Sequence, residues 1–378
     1  MNTVPAPAAK PIDVLVVDDA VVVRRMIGEV LGTDPALRVI GTAADGKIAL
    51  QKLQQLKPDL VTLDFEMPEM DGIETLRAIR KIHPKLPVIM FSTLTERGAV
   101  QTLDALAAGA SDYVTKPANV GSVTIAQQRI REELIPKIKA LCGGAHPRTA
   151  TPVTRTPSVP RPFGTAAPTT AIPAPAPGIR KTPEALVIGI STGGPNALAD
   201  MLPRLPRELP VPVLIVQHMP PMFTRMLAER LDSKCPLHVV EATAGMVVQP
   251  GTVYIAPGDY HMTVERRGTQ VVTALSQGPM ENSCRPAVDV LFRSAAAVYG
   301  ERLLGAVLTG MGQDGLRGSE EIRRHHGHVL AQDQASSVVW GMPGFVANAG
   351  LADAVVPLSE MASEIVRRCG AAPLARGA

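Results

Sequence analysis

Twice along this chain, short β-branched and aliphatic runs alternate with stretches whose apolar residues recur at helical spacing. Runs this short and this apolar predict strands buried on both faces. Successive parallel strands need long crossovers, which the helical stretches supply. The first block, residues 11–140, predicts strands at 12–17, 38–43, 60–63, 88–91 and 112–114, with helices at 21–31, 46–55, 73–82, 99–108 and 125–141. The second, residues 183–372, predicts strands at 185–190, 211–216, 237–241, 252–256, 303–308 and 329–331. Its helices are expected at 195–202, 223–231, 288–299, 319–325 and 361–368, with a hairpin turning at Arg267-Gly268. The fold class is therefore α/β in both blocks: a five-stranded parallel sheet first, then a doubly wound, mainly parallel one.

Between the blocks the composition breaks. Nine prolines fall from Pro147 to Pro177, and no Asp or Glu lies between Glu133 and Glu184. Such a Pro/Ala/Thr-rich stretch cannot bury a core, so residues 141–182 read as an extended linker, a spacer rather than a basic docking tether.

In the first block, acids stand where strands end. Asp18 and Asp19 follow the first strand and Asp64 the third. The carboxyl ends of parallel strands share one edge, so three carboxylates should meet in one crevice. Oxygen ligands without His or Cys suit Mg²⁺. Ser92 ends the fourth strand, and Lys116 follows the fifth. A divalent ion, a hydroxyl and an ammonium around one carboxylate suit phosphoryl transfer to it.

The second block opens on Gly189-Ile-Ser191-Thr-Gly193-Gly-Pro195, read as strand, tight turn, helix start. Ser191 then has the G-x-S-x-G spacing of a nucleophile turn beside helix N–H groups that can hold an oxyanion. His218 and Asp314 fall at other strand ends of the same block. A hydroxyl, an imidazole and a carboxylate on one edge make an acyl-transfer triad. His238 and His261 are rival bases, and Asp259 and Asp333 rival orienting groups. The order Ser, His, Asp disfavours the α/β-hydrolase fold, which runs Ser, Asp, His. His325-His-Gly-His328 reads as a solvated, cationic helix end rather than a metal site.

A net charge of +3 is too balanced to argue for nucleic acid or an anionic membrane. No signal peptide opens the chain, and no apolar run approaches a membrane span. The four cysteines show no C-x-x-C pair, which suits reduced thiols in a cytoplasmic protein.

Two resemblances follow. Val16-Val-Asp-Asp19, Asp64-Phe-Glu-Met-Pro-Glu-Met-Asp-Gly72, Phe91-Ser92 and Tyr113-Val-Thr-Lys-Pro117 resemble a flavodoxin-like two-component receiver. That resemblance implies phosphorylation of Asp64 by a histidine kinase. It implies Mg²⁺ on Asp18, Asp19, Asp64 and the backbone of Glu66, and a relay through Ser92, Tyr113 and Lys116. Gly189-Ile-Ser-Thr-Gly-Gly-Pro195, Gln217-His-Met-Pro220, Ile255-Ala-Pro-Gly-Asp-Tyr-His-Met262, Arg285-Pro-Ala-Val-Asp-Val-Leu-Phe292, Leu308-Thr-Gly-Met-Gly-Gln-Asp-Gly315 and Trp340-Gly-Met-Pro343 resemble the chemotaxis methylesterase family CheB. It implies hydrolysis of glutamate γ-methyl esters on chemoreceptors, releasing methanol, and deamidation of certain receptor glutamines. Ser191, His218 and Asp314 match its catalytic residues, and Thr192 and the Met311 backbone its oxyanion stabilisers. No cofactor is implied for hydrolysis. The unphosphorylated receiver is expected to lie over the Ser191 edge. A receiver joined to a DNA-binding module is disfavoured, because the second block shows neither a helix-turn-helix nor a basic face. A general esterase is the other rival.

Overall fold

The computed structural model describes residues 10–116, 123–143 and 181–371. Most of the expected linker, residues 144–180, and the expected N-terminal tail lie outside the described residues, as does Pro117.

The first sheet has five strands in the order β2-β1-β3-β4-β5, all pairs parallel. They are β1 (Ile12–Val17), β2 (Leu37–Ala43), β3 (Leu60–Asp64), β4 (Val88–Ser92) and β5 (Asp112–Thr115). Helices α1 (Val21–Leu31), α2 (Gly46–Gln55), α3 (Gly72–Ile82), α4 (Glu96–Ala107) and α5 (Val123–Cys142) make the crossovers and the closing layer. Strand order reverses between β1 and β3, where such sheets open a crevice.

The second sheet has seven strands in the order β14-β13-β12-β6-β7-β9-β8, again all parallel. Its strands are β6 (Ala185–Ile190), β7 (Val213–Gln217), β8 (His238–Glu241), β9 (Thr252–Ile255), β12 (Leu303–Val307), β13 (His328–Gln332) and β14 (Ala354–Val356). The expected hairpin, β10 (His261–Arg267) with β11 (Gln270–Ser276), is a separate antiparallel pair. The helices are α6 (Gly194–Met201), α7 (Phe223–Asp232), α8 (Val288–Tyr299), α9 (Leu316–Arg324), α10 (Met342–Asn348) and α11 (Leu358–Arg368). Central strands are buried throughout: no residue of β6, β7, β12 or β13 is exposed. Their unbroken apolar runs are what a parallel sheet covered on both faces requires.

The sequence pattern misses α10 and β14. Helix α10 is only seven residues long, and β14 is three residues with one exposed. Neither is long enough to show a period. The reading of 325–328 as a solvated helix end is corrected for His328. That residue opens β13, is buried, and lies 3.5 Å from Asp353. His325 and His326 are exposed as expected.

The two sheets do not stand apart. Helix α4 packs on α6 and α7, and Tyr113 of β5 stacks on Phe223 of α7 with ring centroids 5.2 Å apart and planes 9° from parallel. Around this stack Asn196 Nδ2 donates to the Leu106 carbonyl at 2.8 Å, Arg230 pairs with Asp104 at 2.6 Å, and Arg225 pairs with Glu96. Polar contacts at the rim around an apolar stack are the anatomy of a docked interface.

Candidate active site and receiver pocket

At the carboxyl end of the first sheet, oxygens of Asp18, Asp19 and Asp64 lie within 4.8 Å of one another. Lys116 Nζ reaches Asp64 Oδ1 at 2.7 Å and Asp18 Oδ2 at 3.1 Å. Asp64 is buried, and its other oxygen, Oδ2, is buried without a hydrogen-bond partner among the described residues. Burial raises the Asp64 carboxyl to about 6, Lys116 pulls it down, and the Asp18 charge adds to the rise. Two carboxylates sharing one lysine leave net negative charge in a buried place. That donor set, all oxygen with one atom orphaned, fits a hard divalent cation. Ser92 Oγ accepts from Thr102 Oγ1 at 2.6 Å and donates towards the Gly98 carbonyl at 3.2 Å, which ties the end of β4 to α4. Tyr113, on the neighbouring strand, points its ring to Phe223, with the Lys137 ammonium 5.1 Å from the ring centre. Glu66, whose backbone was the fourth expected ligand, is exposed just beyond β3.

The second sheet's edge is built by register. Ile190 of β6 pairs with Gln217 of β7, and Gly189 with Val307 of β12. The residues that follow therefore stand side by side. Ser191 N donates to the Thr309 carbonyl at 3.0 Å, and His218 N donates to the Ile190 carbonyl at 3.2 Å. Gly193 caps α6 with φ +80°, the left-handed backbone that the tight turn needs. Gly194 is required for a different reason: a Cβ there would sit 1.9 Å from Gln217 Oε1. Gln217 in turn donates through Nε2 to the Ser191 carbonyl at 3.0 Å, holding the turn from beneath.

His218 Nε2 meets Asp314 Oδ2 at 2.8 Å. Asp314 is fixed by an arrangement the sequence did not reveal. Its Oδ2 also accepts from Val288 N at 2.7 Å, and its Oδ1 from Asp289 N and Asn282 Nδ2, each at 3.0 Å. Asp314 thus caps the N-terminus of α8 from outside that helix. Asp289, in the first turn of α8, returns the favour: its Oδ1 accepts from Gly315 N at 2.9 Å and Gly318 N at 2.6 Å at the start of α9. Each helix start is satisfied by a carboxylate from the other's side, and each carboxylate sits on the positive end of a helix dipole. Burial alone raises the Asp314 carboxyl, but the bond to His218 and these amides bring it below its usual value, while Asp289 is pushed up by burial. For His218, burial pulls the imidazole down. Asp314 and Cys284 outweigh it and raise the ring above its ordinary value.

Ser191 is half-buried beside this pair, and its hydroxyl has no hydrogen-bond partner among the described residues. The other ring nitrogen, His218 Nδ1, faces Cys284 Sγ at 3.7 Å. Thr192 is buried, and its Oγ1 donates to Asp112 Oδ2 of β5 at 2.9 Å. A side chain of the first sheet therefore holds a hydroxyl adjacent to Ser191. Met311 is half-buried on the loop after β12. The rival groups are engaged elsewhere. His238 pairs with Asp232, His261 bonds the Pro279 carbonyl, Asp259 pairs with Arg285, and Asp333 caps Ser336.

Two family models match the chain: CheB methylesterase over residues 186–365 and response regulator receiver domain over residues 14–127. A protein-glutamate methylesterase/protein-glutamine glutaminase of a Nocardioides species is 57% identical over 363 residues, covering 94% of this chain and 95% of that one. The chain belongs to this family. A relative of the same name from Trichodesmium erythraeum is 52% identical, covering 94% of this chain and 99% of that protein. Among solved structures, the CheB methylesterase catalytic domain of Thermotoga maritima is 42% identical, with TM-score 0.48, covering 50% of this chain and 99% of that one. In family terms, the first sheet is the receiver and the second the methylesterase half. Asp112, Gln217, Asn282, Cys284 and Asp289 went unread because their roles depend on contacts far along the chain. The Arg285–Phe292 and Leu308–Gly315 motifs mark where two of those contacts meet.

Proposed function

We propose that the chain is a phosphorylation-regulated hydrolase of chemotaxis adaptation. It demethylates glutamate γ-methyl esters on chemoreceptors and deamidates specific receptor glutamines. The observation that carries this reading is the 2.8 Å pair of His218 and Asp314 at the strand end next to Ser191, with Asp314 saturated by amide donors. A carboxylate so held can orient an imidazole without taking its proton.

Ser191 Oγ attacks the ester carbonyl. Because Asp314 occupies Nε2, the serine proton goes to Nδ1 of His218. The N–H groups at the start of α6, the Thr192 hydroxyl and the Met311 amide receive the charge that develops on the carbonyl oxygen. His218 returns the proton to the departing methoxide, and methanol leaves. Water, deprotonated by the same nitrogen, then splits the acyl-serine to free glutamate. A glutamine side chain gives the same acyl-enzyme, with ammonia as the poorer leaving group and the greater need for protonation.

Control runs through the receiver. Asp64 accepts the phosphoryl group from the pathway's histidine kinase. Asp18, Asp19, Asp64 and the Glu66 carbonyl would hold Mg²⁺, which would supply charge neutralisation for the transferring phosphoryl group. Support comes from the orphaned Asp64 oxygen and the two carboxylates beside it. Ser92, Tyr113 and Lys116 carry the change to the face of β5 and α4 that covers the Ser191 edge. In the covered state Asp112 engages Thr192, so a group assigned to the oxyanion is already bonded to an anion. Phosphorylation shifts the population towards uncovered molecules. A cytoplasmic setting accords with four free cysteines, and no helix among the described residues is long and apolar enough to cross a membrane.

The test is initial methanol release from methylated receptor membranes by the full chain, with and without a small phosphodonor and Mg²⁺. Release that rises with phosphodonor supports the reading. Release from small esters alone, with receptor membranes untouched, points to a general esterase.

A further inference from the structure

Cys284 has no part in the hydrolysis above, yet its placement is tightly determined. Two backbone bonds tie it to Glu281, Cys284 N to the Glu281 carbonyl at 2.9 Å and the reverse at 3.1 Å. Between them Asn282 and Ser283 turn the chain with φ of 52° and 61°, a conformation costly for residues other than glycine. Side chains hold the turn as well. Arg293 grips both oxygens of Glu281 at 2.6 Å, and Asn282 Nδ2 reaches Asp289 Oδ2 at 2.9 Å and Asp314 Oδ1 at 3.0 Å. The result is a thiol held 3.7 Å from His218 Nδ1.

Donor atoms of His218, Cys284 and Asp314 all lie within 4.8 Å of one another. One ring nitrogen faces sulfur and the other donates to a carboxylate. That is how histidines that ligate metals are arranged, with the outer carboxylate fixing the ring and its tautomer. Zinc bonds of about 2.3 Å to sulfur and about 2.0–2.1 Å to nitrogen, at a tetrahedral angle, place the two donors roughly 3.5–3.6 Å apart. The observed 3.7 Å needs only a slight closing.

We propose that His218 Nδ1 and Cys284 Sγ bind one soft divalent cation of the zinc type, with Asp314 orienting the ring, and that the bound ion switches hydrolysis off. Binding forms one metal–nitrogen and one metal–sulfur bond. Water leaves the aqua ion, and the thiol proton, with any proton on Nδ1, passes to solvent; nothing is oxidised or reduced. Waters complete the coordination. The ion then occupies the nitrogen that receives the Ser191 proton. This inhibition rests on the reading of His218 as the base, whereas the binding does not. The chain sorts two ions by donor chemistry: Mg²⁺ to the all-oxygen receiver pocket and the softer ion to nitrogen and sulfur.

The test uses the full chain with Mg²⁺ in excess. Titrated Co²⁺ should give a thiolate-to-cobalt charge-transfer absorption that saturates at one equivalent and is bleached by Zn²⁺. Cys284→Ser and Cys284→Ala should lose that absorption, while Cys235→Ser keeps it, with circular dichroism confirming the fold of each. Zn²⁺ should stop methanol release by the unmodified chain, with recovery on adding a chelator. The Cys284 variants should need at least ~100-fold more zinc for the same inhibition. Absence of the thiolate absorption in the unmodified chain overturns the proposal, as does equal zinc sensitivity of the Cys284 variants. Tight binding with undiminished methanol release overturns the inhibition and removes His218 as the base, while the metal site stands.

Discussion

Receiver and methylesterase half both bury carboxylates at the carboxyl ends of parallel strands, and they treat them in opposite ways. Asp64 keeps a buried oxygen, Oδ2, without a hydrogen-bond partner among the described residues, and it shares one lysine with Asp18. Asp314 has His218 and four further donors besides, and Asp289 is bonded by amides of a second helix. The difference separates two uses of the same fold position. A carboxylate left wanting is a place for a ligand, because the missing partner has to come from outside. A saturated carboxylate is a fixture, which orients its neighbour and is not free to react.

The sharpest break of this comparison is at Ser191, the nucleophile proposed beside the fixture. Ser191→Ala should cut methanol release by at least ~10⁴-fold, and phosphodonor labelling of the receiver should persist. Undiminished release from a folded variant removes the serine from the mechanism. Next come paired substitutions at the two kinds of carboxylate. Asp64→Asn should abolish labelling and leave a basal rate. Asp314→Asn should leave labelling intact and lower the rate by roughly 10³–10⁴-fold. Their melting temperatures should move apart, up for Asp64→Asn as a strained buried charge is relieved and down for Asp314→Asn as the α8 cap weakens. Shifts of the same sign would erase the distinction between wanting and saturated carboxylates.

Much of this was legible beforehand. Strand-end positions of Asp18, Asp64, Ser191, His218 and Asp314 followed from short apolar runs, because a buried parallel strand leaves few other patterns. The alternation also placed every strand of the receiver. What escaped was contact between distant segments. Nothing near Asp112 says that its carboxylate meets Thr192, 80 residues on. The exchange of caps between α8 and α9 needs two loops 25 residues apart to converge. His328 looked solvated because it follows a run of basic residues, but it opens a central strand and its partner Asp353 lies 25 residues later.

A smaller effect is expected where the halves meet. Asp112→Ala frees the Thr192 hydroxyl and weakens the cover, so the unphosphorylated rate should rise about fivefold, with a correspondingly smaller gain from phosphodonor. An unchanged ratio of the two rates would show that this contact carries no inhibition. The smallest effect tests saturation away from any site. The Asp353 side chain is buried, and the His328 ring 3.5 Å away, the bond from Val329 N and the Arg323 charge overcome burial and hold its carboxyl at about 2. A depressed folded value stabilises the native state above the unfolded value, near 4. The contribution of about 2 kcal/mol is lost as pH falls from there through 2. Urea melts at pH 5 and pH 3 should show the loss in the unmodified chain and a flatter profile in Asp353→Asn. Parallel profiles would mean that Asp353 is not held as its contacts indicate.

The bond from Thr192 to Asp112 has a further consequence. One hydroxyl hydrogen cannot be donated to Asp112 and to the oxyanion proposed for this site at once, so under that proposal the two occupants compete for it. Competition of this kind is thermodynamically reciprocal. Under the proposed mechanism, a mimic of the tetrahedral intermediate on Ser191 also displaces the receiver, and a displaced receiver resembles the phosphorylated one. A substrate-engaged molecule should therefore bind a phosphoryl analogue such as beryllofluoride more tightly than an idle one, by the same factor that the analogue lends to substrate. The adaptation enzyme would then report back to its own switch whether there is work on the receptor.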